Sequence, residues 1–264
     1  MPKKRLDQML VDGGYFTSRE RAKAVIMAGE VYINGQKADK PGVSYDENAS
    51  IEVRGGELKY VSRGGLKLER ALEYFAGDVR GKVCIDCGAS TGGFTDVMLQ
   101  NGARHVYSVD VGYGQLAWSL RQDERVTVME RTNVRYITPD MFPDRPEVGT
   151  IDVSFIFTAL IFPALSTVLT LGGTVYSLIK PQFEAGKDKV GKKGVVREKE
   201  THAEVIEKFI ENAEKSGFSV KGVTWSPIKG PEGNIEFLAK LVLDGMKSEE
   251  IDVMAVVDEA HGRL

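Results

Sequence analysis

The feature that most constrains the fold of this chain is a long stretch without charge. No Asp, Glu, Lys or Arg occurs from Val153 to Ile179, a run of 27 residues. A run of this length is sufficient to cross a bilayer as one helix. A strand, a helix and a second strand would give the same pattern, because strands covered on both faces are apolar throughout. The run therefore indicates either a membrane span or the interior of an α/β domain.

Local features of the run favour the α/β interior. Pro163 would break one long helix or begin a shorter one, and Gly172–Gly173 marks a point where a helix ends and a strand begins. The two interpretations differ in geometry, because a spanning helix holds Asp152 and Lys180 at least ~30 Å apart. Adjacent parallel strands, ~4.8 Å apart, bring both residues to one edge of a sheet. Hydroxyl side chains also dilute the run, at Ser154, Thr158, Ser166, Thr167, Thr170 and Thr174.

Apolar runs alternate with helical patterns from residue 82 onward, which predicts an α/β fold with a parallel sheet and helices on both faces. With 264 residues, 42% hydrophobic and 28% charged, the chain has the composition of one large or two modest globular domains. The predicted strands are Val83–Asp86, Val106–Asp110, Thr150–Phe155, Thr174–Ile179, Phe218–Trp225 and Ile235–Leu243.

A glycine-rich turn, Gly88–Gly93, follows the first of these strands and leads into a helix predicted from Phe94. Glycines at a helix N-terminus let the backbone approach a ligand closely. Asp110 ends the next strand 22 residues after Gly88, about where an acidic side chain binds ribose hydroxyls. Ser90 replaces the second glycine of the dinucleotide fingerprint, so the turn favours a nucleoside ligand without a pyrophosphate over NAD. A purely structural turn is the alternative.

The N-terminal segment differs from the rest in charge and in pattern. Residues 1–67 carry 12 Lys and Arg against 9 Asp and Glu, whereas the remainder carries 23 against 29. A basic module on an acidic body indicates contact with a polyanion, although a solvated helix face explains the same offset. The predicted elements are a helix over Arg5–Val11, a helix over Arg19–Ala28 capped by Thr17 or Ser18, a hairpin turn at Asn34–Gly35, and a strand at Ile51–Val53 that ends at Gly55–Gly56.

This segment resembles the alpha-L RNA-binding domain. The matching residues are Arg5–Asp7, Ser18–Ala22 and Ile26–Gly35. The resemblance implies RNA as the partner, and it implies domains over residues 1–60 and 67–264 joined by a linker over residues 61–66. The basic residues that would contact RNA phosphates are Arg5, Arg19, Arg21, Lys23 and Arg63.

The body of the chain resembles the class I methyltransferases, which have a Rossmann-like sheet and use S-adenosylmethionine. The resemblance implies that Asp110 holds the ribose of this cofactor and that Asn133, in Arg131–Val134, lies near its adenine. The residues that would hold its methionine part are Asp86, Gly88, Ser90, Thr91, Gly92 and Gly93.

The whole chain resembles the TlyA family of RNA ribose 2′-O-methyltransferases, often named hemolysins, whose catalytic half is FtsJ-like. The most specific pieces are Tyr60–Leu68, Asp152–Ile156 and Lys180–Glu184. The family's Lys-Asp-Lys-Glu tetrad falls on Lys67, Asp152, Lys180 and Glu236. By this resemblance Lys180 accepts the proton of the ribose hydroxyl and Lys67 stabilises the oxyanion. Asp152 would orient Lys180, and Glu236 would hold the lysine network.

The resemblance further implies ribosomal RNA or ribosomal subunits as partners and a location in the cytoplasm. It implies no metal and no membrane partner. A catalytically silent RNA-binding or ribosome-assembly factor and a membrane-active hemolysin are the alternatives, and the oligomeric state is open. Cys84 and Cys87 predict a reducing compartment and buried, unreactive thiols. The N-terminal charges are not followed by an apolar run, so no signal peptide is expected. The basic segment Gly186–Gly194 is either a lid over RNA or a solvated loop. Packing or surface roles are expected for His105, His202 and His261.

Overall fold

The computed structural model describes residues 3–16, 18–53, 59–191 and 193–264. The strand end expected at Gly55–Gly56 and the alternative cap at Thr17 lie outside these residues. The cap at Ser18 is present, since its Oγ accepts a hydrogen bond from the backbone N–H of Arg21 at 3.2 Å.

The N-terminal part of the chain packs two short helices, α1 (Leu6–Asp12) and α2 (Arg19–Met27), against small antiparallel sheets. In the described residues these sheets are a three-stranded sheet of order β3-β2-β5 and a pair of β1 with β4. Asn34 and Gly35 both have positive φ, 50° and 78°, as the predicted Asn-Gly hairpin turn requires. The strands are β1 (Lys3–Arg5), β2 (Val31–Ile33), β3 (Gln36–Ala38), β4 (Ser44–Asp46) and β5 (Ile51–Val53).

The larger part of the chain is a mixed sheet of order β11-β12-β10-β9-β6-β7-β8, seven strands within the described residues. Strands β6 to β10 run parallel, and β12 lies antiparallel between β10 and β11. The strands are β6 (Val83–Cys87), β7 (His105–Val109), β8 (Val126–Met129), β9 (Val148–Ile151), β10 (Thr174–Ile179), β11 (Phe218–Trp225) and β12 (Phe237–Leu243). The helices are α3 (Gly65–Tyr74), α4 (Gly93–Gln100), α5 (Trp118–Arg121), α6 (Phe162–Val168), α7 (Pro181–Glu184), α8 (Lys199–Lys215) and α9 (Val253–Arg263).

The sheet separates two hydrophobic cores, as the prediction of helices on both faces requires. One face packs under α6, α8 and α9, and the other packs under α3 and α4. Cys87 belongs to the first core and Cys84 to the second, since residues three apart on a strand face opposite sides. Burial raises the pKa of Cys84 to about 12, which agrees with unreactive thiols.

The uncharged run folds as sheet interior, and the membrane interpretation is wrong. It begins two residues after β9 and then forms a 3₁₀ turn at Thr158–Leu160, α6 with Pro163 in its first turn, and β10. The Nζ of Lys180 lies 2.5 Å from Oδ1 of Asp152, not the ~30 Å that a spanning helix would impose. None of the helices in the described part of the chain has the length and hydropathy needed to cross a membrane.

The end of β9 differs from the prediction by four residues, the starts of β9 and β12 differ by two, and one strand of the large sheet, β8, was missed. Strand β9 ends at Ile151 instead of Phe155, because Phe155 has a left-handed backbone with φ of 64° that leaves the ladder. Strand β12 begins at Phe237, two residues after the predicted start. Strand β8 was missed because it is a short, half-exposed edge strand that lacks a continuous apolar run.

The carboxyl ends of β6 and β9 define the position of the site. These strands are neighbours, yet the chain leaves β6 toward β7 on one side and β9 toward β10 on the other. A crevice opens at such a switch point in open α/β sheets, because the following loops diverge. The glycine turn follows β6 and Asp152 follows β9, so both lie at this crevice.

Candidate active site

A cavity of about 610 Å³ lies at the switch point, within the size range of small-molecule sites. All four residues of the expected tetrad line it. Lys67 comes from α3, Asp152 from the loop after β9, Lys180 is the residue after β10 and Glu236 is the residue before β12. The glycine turn forms another wall, through Gly88, Ala89, Ser90, Thr91 and Gly93.

Lys180 is held by the loop that follows β9. It directly follows β10, and Pro181 begins α7 and ends the ladder. Its Nζ lies 2.5 Å from Oδ1 of Asp152 and donates to Oγ of Ser154 at 3.2 Å. The amine is therefore fixed in direction at the cavity wall.

Lys67 and Glu236 form a second and more deeply buried pair. Lys67 lies on the buried side of α3, and its Nζ is 2.6 Å from Oε2 of Glu236, a residue only 1% exposed. Gln182 donates from Nε2 to the other carboxylate oxygen of Glu236 at 3.0 Å. Burial lowers the pKa of Lys67, but the charges of Asp152 and Glu236 outweigh it and leave this pKa raised. Lys67 is therefore a cation in the cavity at neutral pH.

The glycine turn approaches the neighbouring loop too closely for side chains. A Cβ on Gly88 would lie 2.5 Å from the carbonyl oxygen of Asp152, and the φ of Gly88 is 89°. Gly92 has a φ of 96° at the N-cap of α4. Only glycine fits at these two positions without strain, because a Cβ on Gly92 would also lie 2.2 Å from Cδ1 of Leu120. Gly88 and Gly93 line the cavity together with Ala89, Ser90 and Thr91.

Asp110 holds the shape of this turn. Its two carboxylate oxygens accept hydrogen bonds from the backbone N–H groups of Ser90 at 2.8 Å and Gly112 at 2.6 Å. A carboxylate has lone pairs for further donors, so these bonds leave room for ribose hydroxyls. The ribose-binding role of Asp110 stays a prediction.

Asp86 lies beneath the turn and is fully buried. Thr95 and Thr150 donate their hydroxyls to it at 2.7 and 2.9 Å. Burial raises its pKa to about 6, the charge of Asp152 adds to the rise, and the two hydroxyls partly oppose it. Its predicted contact with a methionine group stays a prediction, since the cavity wall is formed by the turn above it.

Asn133 lies shortly after β8, the edge strand of the large sheet. Its side-chain oxygen accepts from the backbone N–H of Arg135 at 3.1 Å and so caps a 3₁₀ turn at Val134–Tyr136. The structure therefore gives Asn133 a local capping contact, and its adenine contact stays a prediction.

Two of the expected RNA-binding residues also stabilise the N-terminal fold. Asp7 is fully buried and pairs with Arg19 Nη2 at 2.7 Å and with Arg5 Nε at 3.1 Å. Burial alone would raise the pKa of Asp7, but the hydrogen bonds from the two arginines lower it to about 2. The Arg5 side chain is 51% exposed and the Arg19 side chain is 43% exposed, so their outer faces still reach solvent.

The other expected RNA-binding residues lie toward the connection between the two parts of the chain. Arg63 donates to the carbonyl oxygen of Ala28 at 3.0 Å, and Arg21 donates to that of Tyr60 at 3.3 Å. Lys23 lies on α2 and is half-buried. One continuous phosphate-binding face of all five basic residues stays a prediction.

The basic segment Gly186–Gly194 reaches the cavity at two points. Val190 and Gly194 contribute to its lining, and Lys189 forms an exposed ion pair with Glu204. Lys192 lies outside the described residues. This placement puts the segment at the mouth of the cavity, which both a lid and a solvated loop would satisfy.

Sequence reasoning missed several residues that order the tetrad. Ser154, Gln182 and Glu184 stood inside the recognised motifs but received no role. Ser154 contacts Lys180, Gln182 contacts Glu236, and Glu184 accepts from the backbone N–H of Thr158 at 2.8 Å. A polar residue three to five positions after a strand end was the available signal. Nδ1 of His202 lies 3.0 Å from Nε2 of His261 between α8 and α9, a packing contact of the kind expected for these residues.

Comparison with known families agrees with this geometry. The profile of the FtsJ-like methyltransferases matches residues 60–242, and that of the S4 domain matches residues 4–51. The first match covers most of the chain, so the fold and the site belong to an S-adenosylmethionine-dependent methyltransferase. The chain is a member of the FtsJ-like methyltransferase family, in the TlyA-like group that also carries an S4 domain.

Three relatives illustrate the membership. YqxC of Bacillus subtilis, provisionally named an rRNA methyltransferase, is 53% identical over 99% of this chain and 95% of its own length. The 16S/23S rRNA (cytidine-2′-O)-methyltransferase TlyA of Mycobacterium tuberculosis is 45% identical over 88% of this chain and 87% of its own. A solved structure from Streptococcus thermophilus, provisionally described as a hemolysin, is 50% identical, with a TM-score of 0.80 over 100% of this chain and 97% of that one.

Proposed function

We propose that this protein transfers a methyl group from S-adenosylmethionine to ribose 2′-hydroxyls of ribosomal RNA in the cytoplasm. The observation that carries the proposal is the pairing of two lysines with two acids around one cavity, beside the glycine-rich turn. The name of the mycobacterial relative supports ribosomal RNA as the substrate, and the S4 domain supports RNA as the partner.

The site fits the cofactor on its own observations. The turn at Gly88–Gly93 would hold the methionine part, because five of its six residues, Gly88 to Thr91 and Gly93, line the cavity. Asp110 would hold the ribose from its place after β7. When bound, S-adenosylmethionine supplies an electrophilic methyl group on a sulfonium.

The chain's own residues account for the proton chemistry. A ribose hydroxyl is a weak nucleophile, so its proton must be removed and the developing oxyanion stabilised. Lys180 is the proposed acceptor, and Asp152 and Ser154 fix its direction. Lys67 is the proposed oxyanion stabiliser, since its raised pKa keeps it charged and Glu236 keeps it in place.

The test is a rate series with tritiated S-adenosylmethionine and purified ribosomal subunits or free rRNA. We expect Lys180→Ala to reduce transfer by about 10²–10⁴-fold, the typical contribution of a general base, with cofactor affinity within a few-fold of wild type. The matched control is Lys215→Ala, which removes an exposed lysine from the end of α8. Mass spectrometry of nucleosides from the digested RNA should find 2′-O-methylribose. Wild-type turnover by Lys180→Ala, or methylation on a base, would overturn the assignment.

A further inference from the structure

The loops after β9 and β10 are joined at successive points along their length. At the strand ends, Lys180 contacts Asp152 and Ser154. Further along, the rings of Phe155 and Phe183 lie 4.8 Å apart. These contacts place the two catalytic motifs side by side, but they do not fix the point where the loop after β9 returns to the core.

The last point of contact is a carboxylate that receives two hydrogen bonds from one residue. Oε1 of Glu184 accepts from the backbone N–H of Thr158 at 2.8 Å and also from the Thr158 hydroxyl. Thr158 is 2% exposed and begins a 3₁₀ turn, so the bond anchors the chain where the loop re-enters the core.

The segment between these two anchors is under backbone strain. Phe155 has a φ of 64° and a side chain that is 90% exposed, so burial of its ring does not offset the strain. A non-glycine residue in this region costs about 1–3 kcal/mol and persists where its surroundings fix it. The ion pair at Asp152 and the carboxylate bond at Thr158 are the anchors on either side of it.

We infer that Glu184 is a positioning residue for methyl transfer, which holds Asp152 and Ser154 against Lys180 by anchoring the loop at Thr158. The inference rests on the proposed function, because it assigns Glu184 an effect on the amine that accepts the proton. It adds a residue that does not line the cavity and whose described hydrogen bonds go to Thr158 and not to the four charged side chains. A displacement of about 1 Å in a reacting group reduces rates by about 10²-fold, so loss of this anchor should appear in the chemical step.

The discriminating variants alter the acceptor oxygen and the charge separately. Glu184→Gln keeps an oxygen that accepts from Thr158 and removes the charge, whereas Glu184→Leu removes the acceptor at similar size. Thr158→Val removes the hydroxyl and keeps the shape and the backbone N–H. The matched control is Glu207→Leu on the exposed face of α8, which changes net charge equally.

Single-turnover rates, KM for the ribosomal subunit, cofactor affinity and denaturant unfolding are measured for each variant. We expect Glu184→Leu to lower the single-turnover rate by about 10- to 100-fold, with KM and cofactor affinity within about three-fold. Glu184→Gln should recover the rate to within about three-fold of wild type. Thr158→Val should lie between them, and the double variant Glu184→Leu/Thr158→Val should be no slower than Glu184→Leu alone.

The inference is overturned if folded Glu184→Leu turns over at the wild-type rate, or if Glu184→Gln is as slow as Glu184→Leu. If Glu184→Leu fails to fold, Thr158→Val decides, and a wild-type rate in that variant overturns the inference. The proposed function fails by a different result, namely methyl transfer by Lys180→Ala. An inactive Lys180→Ala together with a fully active Glu184→Leu removes the role of Glu184 alone.

Discussion

Replacing Asp86 with asparagine measures the free-energy cost of ionising this buried carboxyl group in the core beneath the glycine turn. Asp86 is fully buried, and its only described side-chain partners are the hydroxyls of Thr95 and Thr150. Asparagine has nearly the same size and keeps one oxygen that accepts a hydrogen bond. The substitution therefore removes the ionisation and leaves the packing almost unchanged.

The size of the effect follows from the pKa of Asp86. This pKa rises from an ordinary value of 3.8 to about 6 on folding, because burial penalises the carboxylate. At ~1.36 kcal/mol per pKa unit, ionising Asp86 in the folded protein costs about 3 kcal/mol more than in the unfolded chain. Since the folded state binds the proton more tightly, stability falls as pH rises from 3.8 through 6. About 2 kcal/mol of the total is lost between pH 4.5 and 7.5.

The assay is urea unfolding of wild type and Asp86→Asn at several pH values, followed by tryptophan fluorescence. Both tryptophans, Trp118 and Trp225, lie in the part of the chain that contains the large sheet, so the signal reports on that part. The difference in unfolding free energy between the variant and wild type should grow by about 2 kcal/mol in favour of the variant from pH 4.5 to 7.5. Asp140→Asn, at an exposed acid, controls for the change in net charge. A difference that stays constant over this range would refute the reasoning.

Two further predictions concern the other buried charges. Asp7→Asn should destabilise the N-terminal part by about 2 kcal/mol at pH 7, because hydrogen bonds from Arg5 and Arg19 lower the Asp7 pKa to about 2. The difference in unfolding free energy between wild type and this variant should disappear as pH falls from 4 through 2. Hydrogen exchange of the α1 and α2 amides measures this difference, and equal exchange rates of the two proteins at pH 7 would contradict the prediction. Glu236→Leu should cost about 3–5 kcal/mol, because it leaves Lys67 buried without its ion-pair partner. The double variant Lys67→Met/Glu236→Leu should recover most of this stability in denaturant unfolding without recovering methyl transfer, and a double variant no more stable than Glu236→Leu would refute the pairing.

The sequence was most informative where secondary structure and chemistry constrain the same residues. The uncharged run ended at Asp152 and Lys180, and the rule that parallel strand ends meet at one edge predicted their contact. Gly88 and Gly92 were similarly recognisable, because a close approach and a positive φ require glycine. The sheet and the two cores followed from these patterns.

The rest depended on tertiary contacts that leave no periodic signal. Glu236 and Gln182 are 54 positions apart and meet only because β12 inserts beside β10. Asp7 received no role from the sequence, yet it is buried and paired with arginines that were expected only to bind RNA. Polar residues that pair inside a fold have the same sequence pattern as polar residues in solvent, so their partners could not be predicted locally.

The position of Asp152 explains why the cofactor turn and the proton acceptor form one unit. Its backbone carbonyl lies against Gly88, so the glycine turn and the loop after β9 are in direct contact. Its carboxylate pairs with Lys180, and its charge raises the pKa of both Lys67 and Asp86. Because one residue contacts the turn through its backbone and three ionisable groups through its charge, a shift of this loop changes cofactor binding and proton transfer together. The bond between Glu184 and Thr158 anchors the same loop from outside the cavity lining, so it acts on both through Asp152.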